Sequence, residues 1–289
     1  MKHFIKIGLG VLIFFSTLSL SAQETKDNYV RVEALFNQTK DSKSENKDSL
    51  IKVYEQLADQ LEINSSSEDE IKLIVNIADR LTMLGSNKIA LNYLTKLNER
   101  KNLSEKNKGN LYGILGYTFK NLKAYALSTK YLNLSIDADS VKKHNIYKYG
   151  TIGTNYLALH QFDSATLYFK RQHALAKNNK DGAGIAGSLN NTGWCYLKAG
   201  LLDSAKIYFD NSIHSIFEYE LVNEKDSFRL YNIYGNIGMY YQQKNHWDSA
   251  FLYLKKDFDY NSLRNRPFEY MFSTIKELTL ISFELKQYS

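Results

Sequence analysis

DSATLYF, at residues 163–169, is the stretch that decides the fold of this 289-residue chain, because it occurs three times. It returns as DSAKIYF at residues 203–209 and as DSAFLYL at residues 248–254. A glycine stands twelve residues before the alanine of each copy, at Gly153, Gly193 and Gly238. Recurrence every 40 to 45 residues indicates stacked helical units, which form binding surfaces more often than catalytic pockets. The sequence therefore predicts a class of function and leaves the ligand unnamed.

Alignment on the small residue of each first helix extends the pattern to five units. These small residues are spaced by 38, 37, 40 and 45 positions, at Ala78, Gly116, Gly153, Gly193 and Gly238. A large residue follows three positions later, at Leu81, Phe119, Tyr156, Tyr196 and Tyr241. The second helix carries its own small residue, at Ala90, Ser128, Ala165, Ala205 and Ala250. Antiparallel helices approach closely only where one side chain is small, so the pattern predicts helix pairs.

These residues resemble the tetratricopeptide repeat (TPR) family, whose unit is 34 residues long. Asn236-Ile237-Gly238-x-x-Tyr241, followed by Ala250 and Tyr253, matches the family pattern best, and residues 191–209 match it nearly as well. The likeness covers roughly residues 70–289. The units here are longer, and the proline that usually closes the second helix is missing. The resemblance implies an all-α, right-handed superhelical solenoid of about six antiparallel helix pairs.

The N-terminal residues predict export. Lys2 and Lys6 precede an apolar run at residues 7–20, and small residues follow, which together fit a cleaved signal peptide over residues 1–22. The alternative is an uncleaved N-terminus that is amphipathic or anchored. Residues 23–66 are predicted to form an atypical helical capping repeat, with helices at residues 28–39 and from Asp48 onward. The predicted location is the periplasm or cell envelope.

The TPR-like repeats are predicted to span residues 67–289, with the last repeat incomplete. Residues 275–285 are expected to form a first helix and residues 286–289 its turn, with no second helix after it. Natural arrays end with a polar cap, so the chain is predicted to be the front part of a longer protein. The alternative is that the last helix caps the array by itself.

Composition argues against several classes of function. The net charge of +6 falls to +4 without Lys2 and Lys6, and it is spread along the chain, whereas nucleic-acid binding usually needs a concentrated basic stripe. Cys195 is the only cysteine, so no disulfide forms within the chain, and we expect it to be packed inside a helix. The six histidines show no metal-ligand spacing.

Motifs of catalysis and cofactor binding lack their required context. Residues 182–187 satisfy G-x-G-x-x-G, but this motif binds dinucleotides only between a strand and a helix, and here it opens a repeat. It is expected to be a flexible turn with small residues at helix contacts. Residues 140–143 fit S-x-x-K without companion motifs, and no G-x-S-x-G occurs. The chain is predicted to be no enzyme and to hold no cofactor and no metal.

The family resemblance implies a groove lined by first helices on the concave face. Its spacing selects Tyr117, Lys120, Tyr147, Thr154, Asn190, Trp194, Asn232, Met239 and Gln242. Aromatic rings beside amide side chains suit an extended peptide. Trp194 is either a binding hot spot or a packing residue against the next repeat.

Two functions follow from these expectations. The first is a non-catalytic scaffold that binds a protein or peptide partner in the envelope. The second is the periplasmic sensor domain of a signal-transduction protein, with a kinase or DNA-binding output beyond residue 289. Partner identity and oligomeric state are open.

Overall fold

The protein is built from α-helices. A computed structural model describes residues 22–40, 47–61, 67–100, 102–139, 141, 145–223, 227–264 and 268–288. Over this part of the chain there are thirteen α-helices and no strand, which confirms the predicted all-α class. The predicted signal segment lies outside the described residues except for its last position. None of the described helices has the length and apolar character needed to cross a bilayer.

The chain divides into two compact units between Leu97 and Asn98. The first unit contains α1 (Ala22–Thr39), α2 (Lys47–Asp59), α3 (Glu68–Met83) and all but the last residue of α4 (Asn87–Asn98). Within it, the Tyr93 hydroxyl on α4 donates a hydrogen bond to the Asp59 carboxylate on α2 at 2.5 Å. Because α2 also packs on α3, the predicted capping helices and the following pair share one unit.

The second unit holds the regular repeats. Its helices are α5 (Glu105–Asn121), α6 (Tyr125–Ala138), α7 (Asn145–Ala158), α8 (Phe162–Asn178), α9 (Gly182–Lys198), α10 (Leu202–Glu218), α11 (Phe228–Gln243), α12 (Trp247–Leu263) and α13 (Phe268–Tyr288). Each odd-numbered helix from α5 to α11 packs on the next helix, and consecutive pairs pack on each other. This is the predicted stack of helix pairs.

Each repeat glycine lies against a side chain sixteen positions later in the second helix. A Cβ built at the glycine would meet that side chain at 2.5–2.7 Å, closer than real Cβ contacts allow. The contacts are Gly116 with Leu132, Gly153 with Phe169, Gly193 with Phe209, and Gly238 with Leu254. The small residues thus allow the close helix approach that the sequence predicted.

A stacked pair of rings recurs beside each of these contacts. Ring centroids are 5.2–5.5 Å apart and interplanar angles are 15–28°. The pairs are Phe119 with Tyr131, Tyr156 with Tyr168, Tyr196 with Tyr208, and Tyr241 with Tyr253. Such offset pairs add about 0.5–1.5 kcal/mol each beyond the area they bury. Many of the tyrosines therefore serve the fold.

The turn inside each helix pair contains a residue with positive φ, seven positions after the repeat's first small residue. These residues are Gly85 (81°), Lys123 (60°), His160 (58°), Gly200 (76°) and Asn245 (57°). A left-handed residue at this point ends one helix and redirects the chain into the next. The first helix and the second are consequently joined by the same tight connection throughout.

The repeated aspartates Asp163, Asp203 and Asp248 lie at the N-terminal ends of the second helices. The residues at the N-cap positions of α8, α10 and α12 make no side-chain capping bond, and each aspartate lies in the first helical turn. There a carboxylate still complements the positive end of the helix dipole.

Two further boundaries differ from the sequence prediction. The G-x-G-x-x-G motif lies inside α9, where Asp181 caps the helix by accepting from the Gly184 N–H at 2.9 Å, so it is no flexible turn. Position 182 requires glycine because the ring of Tyr219 packs against its backbone and leaves no space for a side chain. The predicted turn after residue 285 is also absent, since α13 continues to Tyr288. Cys195 is buried, as expected.

Candidate functional site

A cleft of about 410 Å³ opens in the second unit on the side of the first helices. Ten of its twelve lining residues come from the odd-numbered helices α7, α9, α11 and α13, and the other two from α12. The lining residues are Leu157, Asn190, Asn191, Trp194, Asn232, Gly235, Asn236, Met239, Leu254, Asp257, Ser273 and Thr274. We call this site the asparagine cleft.

Four asparagines give the cleft its name. Asn190 and Asn191 lie on α9, and Asn232 and Asn236 lie on α11. The Asn236 amide donates to Oδ1 of Asn190 at 2.8 Å, joining repeats 46 positions apart in the chain. That bond uses one of the two N–H donors of Asn236 and one lone pair of Asn190, and every asparagine amide carries two donors and an acceptor. The wall therefore offers donors and acceptors together.

Asp257 supplies the charge of the cleft. Among the described lining residues it is the only one with an ionisable side chain, and it is 7 % exposed. Thr274 on α13 donates to its Oδ2 at 2.7 Å, and Asn261 donates to its Oδ1 at 2.9 Å. Burial raises the pKa of the Asp257 carboxyl, and these two hydrogen bonds oppose the rise. Gly235 makes room for it, since a Cβ there would lie 3.2 Å from Oδ2.

Trp194 belongs both to the cleft and to the packing. Its indole lines the cleft, and it is partly buried against the core cluster that contains Phe209 and Ile237. The Lys198 ammonium lies 4.5 Å from its ring centroid. Trp194 thus packs between repeats, as one of the two predicted alternatives has it, and it also forms part of the cleft wall.

The cleft brings together four of the nine predicted site residues: Asn190, Trp194, Asn232 and Met239. Gln242 lies one turn after Met239 and donates to Glu277 on α13 at 2.7 Å. The other four lie on α5 and α7, outside the lining of this cleft: Tyr117, Lys120, Tyr147 and Thr154. Of these, Tyr147 is exposed, the Thr154 hydroxyl donates to the Thr151 carbonyl, and burial lowers the pKa of Lys120.

Sequence reasoning missed Asn191, Asn236 and Asp257. Both asparagines stand two positions before a repeat glycine, within motifs that already mark first helices, so their face could have been assigned. Asp257 stands seven positions after Ala250, where the earlier units carry Leu97, Ser135, Gln172 and Ser212. The signal that could have identified Asp257 is an acidic residue at a repeat position that carries uncharged residues in the earlier units.

A larger cavity of about 490 Å³ lies in the first unit between α1 and α3. Its charged lining residues have both signs, with three acids and three bases: Glu33, Asp69, Asp79, Lys40, Lys72 and Arg80. Burial raises the pKa of Asp79, and Arg80 opposes the rise. We assign the candidate site to the asparagine cleft because there a single charge sits within an ordered amide array. Among the described residues, no group of three or more metal-ligating side chains is arranged to hold a metal.

Stacked helix pairs with a polar cleft on their first helices define a TPR-like helical-repeat protein. No family model and no curated protein matches the sequence. Solved structures similar to this chain share its fold at 10–18% sequence identity.

Three of these structures show the extent of the likeness. The MamA protein has 18% identity and a TM-score of 0.52, covering 68% of this chain and 94% of its own. Aspartyl phosphate phosphatase F from Bacillus subtilis has 13% identity and a TM-score of 0.60, covering 92% and 80%. A Rap protein complexed with Competence and Sporulation Factor has 14% identity and a TM-score of 0.55, covering 94% and 78%. At these identities the likeness concerns the fold.

Proposed function

We propose that this chain is a non-catalytic scaffold that binds a peptide or protein partner in the asparagine cleft. The observation that carries the proposal is the row of four asparagines on two adjacent first helices. An extended peptide presents alternating N–H and C=O groups, and amide side chains can pair with both. Trp194, Met239 and Leu157 supply apolar surface beside the amides for the partner's side chains.

The proposal has support from the fold but does not depend on any one relative. Helical repeat arrays use the face of their first helices as extended binding surfaces. The similar Rap structure is a complex with Competence and Sporulation Factor, which agrees with a partner bound on such a scaffold. The similarity to a phosphatase concerns the fold alone at 13% identity.

We further propose that the protein acts in the cell envelope. The support is the signal-like pattern of residues 1–22. A second candidate function is the sensor domain of a signal-transduction protein, with its output beyond residue 289. The similar Rap structure, a complex with Competence and Sporulation Factor, favours it. A hydrophobic segment of about 20 residues encoded shortly after Ser289 would support the sensor, and an early stop codon would contradict it.

Binding to randomised peptides tests the scaffold proposal. Acetylated, amidated peptides of random sequence are arrayed and probed with the full chain and with Asn190→Ala and Asn236→Ala. Both variants should lose about tenfold in binding signal, because each removes an amide of the array. Asn211→Ala is the matched control, since Asn211 is exposed on α10 and lies outside the cleft lining. Equal signals for all four proteins would contradict the proposal.

A further inference from the structure

The asparagine cleft contains a carboxylate whose described contacts are neutral. The Asp257 oxygens accept from a hydroxyl and an amide, and no ion pair joins it to a basic side chain of the described residues. Buried charges in proteins are normally paired or bind metals, because an unpaired charge loses its hydration. Asp257 is therefore costly to the free protein, and a ligand could offset that cost.

The geometry leaves room for such a ligand. Each carboxylate oxygen of Asp257 accepts one described hydrogen bond from the protein, although an ionised carboxylate offers about four acceptor sites in all. Asp257 is one of the lining residues of the cleft of about 410 Å³, so a ligand in the cleft can reach its carboxylate. Charged groups near lining residues are otherwise engaged: Glu277 accepts from Gln242, and Lys198 lies over the Trp194 ring. Lys256, which precedes Asp257 in the chain, lies over the rings of Tyr234 and Tyr253.

From this arrangement we infer that the peptide bound in the asparagine cleft places a cationic group, a lysine or arginine side chain or a free N-terminal ammonium, on Asp257. The inference rests on the proposed function and makes it more specific. The asparagines hold the backbone without regard to sequence, whereas Asp257 selects for positive charge. A charge-assisted bond in a desolvated site is stronger than a neutral one, so this contact determines preference.

Peptide pools with one fixed residue test the inference. The full chain is titrated with four pools of blocked pentapeptides whose central residue is Lys, Arg, Gln or Glu and whose other positions are random. A fifth pool has Gln at the centre and a free N-terminus, which separates the ammonium from the side chains. At least one cationic pool should bind about tenfold more tightly than the blocked Gln pool, and the Glu pool should bind more weakly.

Three variants identify the residue responsible. Asp257→Asn should reduce the preference for the cationic pool to a ratio near one, while Asp248→Asn, an exposed carboxylate on the same helix, should keep the full preference. Thr274→Val removes the bond between α13 and Asp257 but keeps the carboxylate, so the cationic pool should still bind more tightly than the Gln pool, by a smaller ratio. Circular dichroism and melting curves first establish that each variant is folded.

The outcomes separate the inference from the function on which it rests. Equal binding of cationic and Gln pools by the unmodified chain overturns the inference while the scaffold proposal stands. Loss of the preference in both Asp257→Asn and Thr274→Val also overturns it, because Asp257 would then act by holding α13. If no pool binds, the proposed function fails and the inference fails with it.

Discussion

The ring of Phe209 lies directly on the backbone of Gly193, where a Cβ would meet ring atom Cε1 at 2.7 Å and the Ala205 carbonyl at 3.2 Å. Both neighbours are fixed, since Phe209 is fully buried and Ala205 O belongs to the backbone of α10. Gly193→Ala should therefore destabilise the protein by about 1–3 kcal/mol through overpacking. Urea unfolding followed by circular dichroism measures the change.

Gly187→Ala is the matched control for this prediction. Gly187 lies in the same helix, and nothing stands within 4 Å of a Cβ built there. Alanine at this site should raise stability by about 0.5–1 kcal/mol, because glycine is a poor helix former. Similar effects of the two substitutions would show that the Phe209 contact is not what requires glycine at 193.

The turn between α9 and α10 gives a second prediction. Gly200 has φ of 76° and open space around its Cβ position, so a side chain there meets no atom and only the backbone is strained. Gly200→Ala should lower the free energy of unfolding by about 1 kcal/mol. The left-handed conformation is unfavourable for alanine, and this penalty exceeds the stabilisation that alanine gives by reducing the conformational entropy of the unfolded chain. Thermal unfolding measures the loss, and an unchanged or raised midpoint would contradict it.

Asp257 should make stability depend on pH. Burial raises the pKa of the Asp257 carboxyl in the folded state above its value in the unfolded chain. At a pH between these two pKa values, the folded protein therefore retains a proton that the unfolded chain has released. Stability is therefore lost as pH rises from the ordinary aspartate pKa to the raised one, and the loss persists at neutral pH. Asp257→Asn should thus gain stability relative to the unmodified protein as pH rises from about 4 to 7.

Urea unfolding of both proteins at several pH values checks this. An asparagine at position 257 can keep a hydrogen bond to both neighbours, because its side-chain oxygen can accept from Asn261 and its amide can donate to the Thr274 hydroxyl. A stability difference that stays constant across the pH range would mean that the Asp257 carboxyl titrates alike in both states. Asp248→Asn serves as the exposed comparison.

Cys195 should be chemically inert in the folded protein. Burial raises the pKa of its thiol to about 11, although a hydrogen bond with Thr166 opposes the rise. At pH 8 only about one thiol in a thousand would be ionised, and the thiolate is the reactive form. Labelling with a chromogenic disulfide reagent at pH 8 should be slow for the folded chain and rapid in denaturant. Equal rates would contradict the prediction.

Trp194→Ala should weaken peptide binding with helical content largely intact. Since the indole also packs against the core cluster, we expect a stability loss of about 1–3 kcal/mol, less than for a fully buried tryptophan. Trp194→Phe retains part of the packing and is the control. Binding to the random peptide array and thermal melts are measured in parallel. A collapse of the melting temperature with unchanged binding per folded molecule would assign Trp194 to the core alone.

The repeat positions made most of the fold predictable. Gly193 and Tyr196 recur with constant spacing, so their contacts with Phe209 and Tyr208 follow from helix geometry. The ends of α13 were less predictable: the sequence predicts a helix over residues 275–285, whereas the helix runs over Phe268–Tyr288, because periodicity does not fix where a helix begins and ends. A motif match likewise could not show that residues 182–187 lie within α9.

The candidate site was only partly predictable, for a different reason. Asn190 and Trp194 could be placed because family spacing gives the exposed face of a first helix. Tyr117 and Thr154 obey the same rule but lie on α5 and α7, away from the cleft. Whether a cleft forms depends on side-chain sizes where three or four helices meet, and Gly235 beside Asp257 is such a junction. A single repeat does not contain that information.

The left-handed turn residues lie in the part of each repeat whose spacing is constant. The first and second small residues are always twelve positions apart, whereas successive units differ in length from 37 to 45 residues. That variation therefore falls between the second small residue of one unit and the first small residue of the next, as in the link at residues 219–227 between α10 and α11. Insertions in these links would shift one helix pair relative to the next while each pair stays intact. Such insertions would change the shape of the binding surface without unfolding a repeat.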